Sequence, residues 1–298
     1  MINLIKSQLI KYFRNPLFFI AVVVSLTTGI YGGVRCTDFK DDTNVVINCR
    51  VEVMWMLTAI WACIVLIAMC AGKEFSDGII RNKIVAGHTK ISVFLAEIIV
   101  ATIMTVIMYL LNIIPTAIGG WYFIGEIPVL FAVKWFVNIF LTFELMSIFT
   151  VVITYILAKR AVAVVASFAL HFILYIISGF TDGYYYNIGE PKMSTMTFYI
   201  VYDDGTIEER EQECENGYYT EGVQQVLVQI EHAVNPMYGL IDAINFGYIP
   251  DKTNVDNSLL NEEKKRIRDL NFDIIKMSAY CIMAYCIGAY LFYKKDLK

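Results

Sequence analysis

The chain has 298 residues, 57% of them hydrophobic and 17% charged, and a formal net charge of −4. A soluble domain of this size would hold about 45–50% apolar and about 25% charged residues, so an ordinary soluble enzyme is excluded. The acidic balance gives no reason to expect a nucleic-acid partner.

Residues 1–15 are amphipathic at helical period. Ile2, Ile5, Leu9, Tyr12 and Phe13 share one arc, and Asn3, Ser7, Gln8, Lys11 and Arg14 lie mostly opposite. This predicts an elbow helix lying in the membrane interface. Pro16 suits a fresh helix start, because proline lacks the N–H and disfavours helix at the residue before it. Spans of about 20 apolar residues, enough to cross a hydrocarbon core about 30 Å thick, follow near 16–33, 51–71, 91–118, 133–157, 161–180 and 273–293. The expected fold is an all-α polytopic membrane protein: elbow helix 1–15, five spans within 16–180, an insertion over 181–272, and a sixth span with a short tail over 273–298.

Orientation is read from the short loops, where Lys and Arg resist translocation. Lys6, Lys11, Arg14, Lys73, Arg81, Lys83, Lys90, Lys159, Arg160, Lys294, Lys295 and Lys298 all fall on one side. The 34–50 loop balances its charges, and the 119–132 loop has no Lys or Arg. Both termini are therefore expected in the cytoplasm of a cell-membrane protein, and 181–272 outside. In that outer compartment Cys36 and Cys49 share a loop and either pair or stay reduced. Cys63, Cys70, Cys281 and Cys286 fall in spans, where small apolar packing is the default. No Cys/His spacing suggests a metal site.

Between the second and third spans, residues 72–90 are too long for a tight turn. Phe75, Ile79, Ile80, Ile84 and Val85 alternate with charges as in a surface helix. Such a helix either seats its apolar edge in a groove on a partner or lies on the headgroups. Glu97, about two turns into the third span, is expected to be solvated or to pair with Lys90 or Lys159. Pro115 is expected to kink that span. Asn112 and Asn138 suit hydrogen bonds between helices. Glu144 and His171 fall near the middle of the fourth and fifth spans, where an ionisable group must be paired or face water. They are expected to form a buried pair that fixes packing or lines a route.

The 181–272 insertion has a different composition, with acids outnumbering bases by more than two to one. Met196–Tyr202 and Thr206–Glu211 flank Asp203-Asp204-Gly205, a hairpin signal. Val223, Val226, Leu227 and Ile230 repeat at helical spacing, Met237–Phe246 suggests a second short helix, and Leu259–Leu270 a charged helix leading into the last span. A mixed α+β extracytoplasmic domain is expected. Its acids and tyrosines, Asp182, Tyr184, Asp203 and Asp204 among them, form either a surface for a cationic amphipathic peptide or simply a solvated acidic face.

Glu74-Phe75, Gly78, Arg81, Ile84 and Gly87, with Ile79 and Thr89-Lys90 as mild departures, resemble the second-to-third-span loop of permease subunits in the ABC type 2 exporter superfamily. The ending Gly288 to Phe292 followed by Lys294-Lys295-Asp296-Leu297 is similar to that family's close. The resemblance implies a half-transporter: two permease chains, identical or not, with separate ATP-binding subunits holding ATP and Mg²⁺. Glu74, Phe75, Gly78 and Arg81 would couple the two. Family members with a large insertion before the last span include peptide-antibiotic exporters and immunity proteins, so an antimicrobial peptide is the implied substrate. Export of a lipid or another amphipathic compound, and a six-span sensor with an outer ligand-binding domain, are the alternatives. The chain has no Gly-x-x-x-x-Gly-Lys-Ser/Thr phosphate loop and no catalytic constellation, so no enzymatic activity or cofactor of its own is expected.

Overall fold

The structure is a computed structural model that describes residues 1–35, 54–124, 129–186, 188–189, 191–201, 207–238 and 257–295. Nine helices and two strands are described: α1 (Ile2–Arg14), α2 (Pro16–Arg35), α3 (Met54–Ser76), α4 (Ile79–Val85), α5 (Lys90–Ile124), α6 (Val129–Leu157), α7 (Arg160–Tyr186), β1 (Met193–Val201), β2 (Ile207–Glu215), α8 (Gly222–Val234) and α9 (Asn257–Lys294). Six helices are long and apolar enough to cross a membrane: Pro16–Val34, Met56–Ser76, Lys90–Gly119, Ala132–Leu157, Arg160–Tyr185 and Leu270–Lys294. The chain is a helical membrane protein with six candidate spans among the described residues.

The chain divides into two compact units, Met1–Ile173 with Gly239–Lys298, and Leu174–Tyr238. In the first, α3, α5 and α6 form the interior, and α2 packs most extensively on α5. That seam rests on a Gly-x-x-x-Gly pair, Gly29 and Gly33. A Cβ on Gly29 would collide with the Asn112 backbone, and one on Gly33 would press on the Pro115 carbonyl. Small residues let backbones approach where hydrocarbon on all sides offers no hydrophobic drive. The close approach leaves Asn112 Nδ2 2.9 Å from Thr28 Oγ1, and Thr116 Oγ1 donates to the Gly29 carbonyl at 3.1 Å. Pro115 sits inside α5, which continues through it.

The N-terminal helix α1 and the described end of α9 lie at one end of this bundle. Phe75, Phe94, Tyr155 and Phe292 form an aromatic knot there, with Tyr155 4.7 Å from Phe292 and 4.9 Å from Phe75 between ring centroids. Gly288 admits it, since a Cβ would strike the Val152 and Phe94 side chains. Lys295 closes the knot by donating to the Tyr155 and Ile156 carbonyls at 2.7 Å each, and Lys90 donates to the Lys295 carbonyl at 2.5 Å.

The second unit holds the end of α7, the hairpin and α8. β1 and β2 pair antiparallel from Met193↔Glu215 to Val201↔Ile207. The Asp203-Asp204-Gly205 turn lies outside the described residues, as do Cys36, Cys49 and residues 239–246. A ring stack closes the unit: Tyr185 lies on His232 at 3.5 Å, and Tyr238 is 4.4 Å from the same imidazole. Asn235 Nδ2 donates to Glu231 and to the Leu174 carbonyl.

One boundary needs correction: residues 181–186 continue α7. The charged helix expected over Leu259–Leu270 is the first part of α9, which begins at Asn257 and runs unbroken into the last span. The described part of 181–272 is thus flanked by helices shared with the spans. Between them stand one two-stranded ribbon and one short helix, which is not the mixed α+β fold expected.

Candidate functional site

The 72–90 segment is not a single surface helix. Gly72–Ser76 completes α3, and Gly78 breaks the helix with φ +67° before α4 starts. Glycine enters that left-handed region at little cost, and apart from its own chain neighbours no heavy atom lies within 4 Å of where a Cβ would be. The break divides the expected apolar edge. Phe75 joins the aromatic knot and Ile80 is buried, whereas Arg81 and Asn82 are exposed and Val85 is 81% exposed. Anchored on one side, α4 presents Arg81 and Val85 on the other.

Glu74 is the centre of this end. It is buried, and its two carboxylate oxygens are taken by Lys11 Nζ of α1 at 2.5 Å and Lys83 Nζ of α4 at 2.6 Å. One carboxylate therefore ties the elbow helix to the helix after the break. Bonds of this kind are stronger than neutral ones because both partners are charged.

Glu97, on α5, is fully buried. Gln8 Nε2 donates to one of its oxygens at 2.7 Å and the Tyr12 hydroxyl to the other at 2.6 Å. The expectation that Glu97 is solvated or pairs with Lys90 or Lys159 is corrected: its donors come from α1. Burial, and next the Glu97 carboxylate, hold the Tyr12 phenol protonated well above its ordinary range. The inward stripe of α1 is Leu4, Gln8 and Tyr12, while Ile2 is 80% and Phe13 41% exposed. Hence α1 turns Leu4, Gln8 and Tyr12 inward with Ile5 and Leu9 packed against the core, and keeps Asn3, Ser7 and Arg14 exposed beside Ile2 and Phe13, as an interfacial helix should.

Glu144 and His171 do not pair. Glu144 is half-buried and accepts from Thr102 Oγ1 at 2.5 Å, and the buried His171 turns its Nδ1 to the Ser167 carbonyl of its own helix. Each finds a nearer partner on an adjacent turn or helix. Thr105 and Ser147 continue the polar strip at 2.5 Å.

Among the proposed substrate-contact residues, Tyr184 packs edge-on to Tyr218 at 5.4 Å. Asp182 is half-buried, and Asp203 and Asp204 lie outside the described residues. Among the described residues, no group of three His, Cys, Asp or Glu side chains is placed to hold a metal, and Cys63, Cys70, Cys214, Cys281 and Cys286 are free thiols.

Sequence reading missed the α1 trio Gln8, Lys11 and Tyr12, whose i, i+3, i+4 spacing facing two downstream glutamates was the available signal. It also missed a buried ion pair in the last span, Asp273 with Lys276 at 2.6 Å. Their i, i+3 spacing in an apolar run is how such a pair announces itself.

No protein-family model matches the chain, and no curated protein matches it significantly.

Proposed function

We propose that this chain is the membrane-spanning permease of an ATP-driven exporter of the ABC type 2 kind, with both termini in the cytoplasm of a cell membrane. Carrying this reading is the arrangement around Glu74: a short helix, α4, with an exposed Arg81 and Val85, pinned through Lys83 to the same carboxylate that holds the elbow helix. A partner pushing on α4 would move a braced lever, so force would reach α1 and α5 instead of being lost in a loose loop. The concentration of bases in the sequence segments that meet at this end supports its cytoplasmic placement. ATP and Mg²⁺ would be held by the separate partner subunit, and two permease chains would complete the transporter.

The substrate we propose is a cationic amphipathic peptide of the antimicrobial kind, received on the outer side by the acidic 181–272 region with Asp182 and Tyr184 among its contacts. Acids raise the local concentration of cations, and tyrosine faces attract them.

The test is co-purification with an ATPase subunit, followed by transport in vesicles containing both. Arg81→Glu should leave the permease folded and still able to reach the membrane, with ATP-driven peptide movement reduced at least about tenfold by the loss of a charge contact worth over 1.4 kcal/mol. Full transport by this variant would refute the role of α4. Ligand-dependent conformational change with no ATPase partner would favour a sensor instead.

A further inference from the structure

Beside the Glu74 centre is a cavity of about 560 Å³ between α1, the end of α3 and the start of α7. Lys11, Arg14, Lys73 and Arg160 line it, against Glu74 and Asp77. Glu74 is already neutralised twice, by Lys11 and by Lys83. Arg14, Lys73 and Arg160 make no ion pair with any carboxylate among the described residues. The cavity is thus a cationic recess whose own acids do not satisfy it.

Arg160 is brought there by construction. Ala158, in the turn before α7, has φ +53°, a strained value for a residue with a side chain. Gly72 then lets α7 start against α3, since a Cβ on it would come within 2.8 Å of the Arg160 Cα. Arg160 Nε faces Met69 Sδ at 3.3 Å, so the guanidinium is steered across the apolar flank of α3. The level is that of a bilayer interface: Pro16 opens the first span, Ser76 closes the second and Arg160 opens the fifth. Ile10 and Pro16 add an apolar wall.

We propose that this recess binds the phosphate of an anionic phospholipid headgroup, with Arg14 and Arg160 as the planar donors and Lys73 as a mobile third charge. A guanidinium matches two phosphate oxygens at once, which an ammonium does not. Basic pockets between helices at a membrane surface suit such headgroups. Lipid is favoured over a soluble phosphate ester because the cavity sits where three spans end and has an apolar wall on which acyl or glycerol carbons can rest. A chain that moved no solute would carry the same site.

The test uses the full chain, purified and placed in bilayer discs of phosphatidylglycerol or phosphatidylcholine, with retained lipid counted by native mass spectrometry after detergent exchange. Wild type should keep phosphatidylglycerol at least about tenfold better than phosphatidylcholine, and Arg14→Gln with Arg160→Gln should abolish the preference, each base being worth about one lipid-charge contact. Lys6→Gln, on an exposed base outside the cavity, should keep it. Lys73→Gln changes an exposed side chain without touching packing, so its expected intermediate loss stands even where the double variant folds poorly. Equal retention of the two lipids by wild type, or equal loss in Lys6→Gln and Lys73→Gln, would overturn the site. Inorganic phosphate or glycerol phosphate that protects the lipid-free protein from thermal unfolding as well as phosphatidylglycerol does would overturn the lipid as its source.

Discussion

The termini end of the bundle and its middle both bury carboxylates, and they treat them differently. Glu97 accepts from Tyr12 and Gln8, and Glu74 from Lys11 and Lys83, so all four oxygens have donors and three of the donors belong to α1. Among the described residues, Glu144 accepts from Thr102 alone, on the neighbouring helix. A carboxylate engaged by an element remote in sequence works as a clasp: removing it frees that element. One engaged by a single neighbour is mainly a desolvation burden on the helix that carries it. On the proposed transport reading, mechanical work falls to the termini end, and the middle is left for packing or passage.

The largest expected effect breaks the clasp. Glu97→Leu strips the acceptor from two buried donors, and each orphaned buried group costs about 1–3 kcal/mol. A loss of about 3 kcal/mol in unfolding in detergent is expected, with hydrogen exchange rising over residues 2–14 before the rest of the bundle. Unchanged protection of α1 would show that Leu4 and Ile5 hold it without the carboxylate. A second change leaves all carboxylates intact. Gly29→Val forces the α2–α5 seam apart, and overpacking of this kind costs about 1–3 kcal/mol, read as a lowered Tm with α1 still protected.

The six spans were legible because length and apolarity suffice to identify them; the apolar limits moved by a few residues, while the helices themselves run on, α3 to Ser76 and α7 to Tyr186, and α9 starts well before its span, at Asn257. The elbow helix was legible as an element and in most of its facing: Asn3, Ser7 and Arg14 are exposed, and Ile5, Leu9 and Tyr12 pack inward. What its pattern did not show is that Gln8 is buried on Glu97 and that Lys11 reaches Glu74, partners 89 and 63 residues away. Local periodicity carries no information about partners that distant. The Glu144–His171 pair failed for a related reason: both lie mid-helix in their candidate spans as read, but rotation about each helix axis decides contact, and Glu144 meets Thr102 and His171 the Ser167 carbonyl. Gly29 and Gly33 were visible in the sequence as Gly-x-x-x-Gly, and the structure gives them their meaning as the place where two backbones meet.

Tyr12→Phe sharpens the comparison by removing one of the two Glu97 donors while keeping the ring. About 1 kcal/mol of stability should go at neutral pH, and the pH dependence carries the sign. Folded Tyr12 keeps its proton above the ordinary tyrosine value near 10, whereas the unfolded chain releases it there. Tyr12 therefore contributes its full stability below about pH 10, and loses it as pH rises beyond that, by up to about 1.4 kcal/mol for each pH unit. Unfolding measured from pH 8 to 11 should show that alkaline slope in wild type and a flatter one in Tyr12→Phe; identical slopes would mean that Tyr12 is not shielded as the geometry has it.

The smallest effect is expected at Glu144. In Glu144→Gln the amide oxygen can accept from Thr102 as the carboxylate did, and the charge that burial opposes is gone, so stability should shift by less than about 1 kcal/mol, in either direction. That near-neutrality makes the variant informative about function. Transport unchanged along with stability would leave Glu144 as a packing residue. Transport lost by tenfold or more with stability intact would mean that the negative charge itself is used, and the middle of the bundle, where Glu144 has one partner and the Thr105–Ser147 strip continues the polar surface, would then be the route that the clasped end drives.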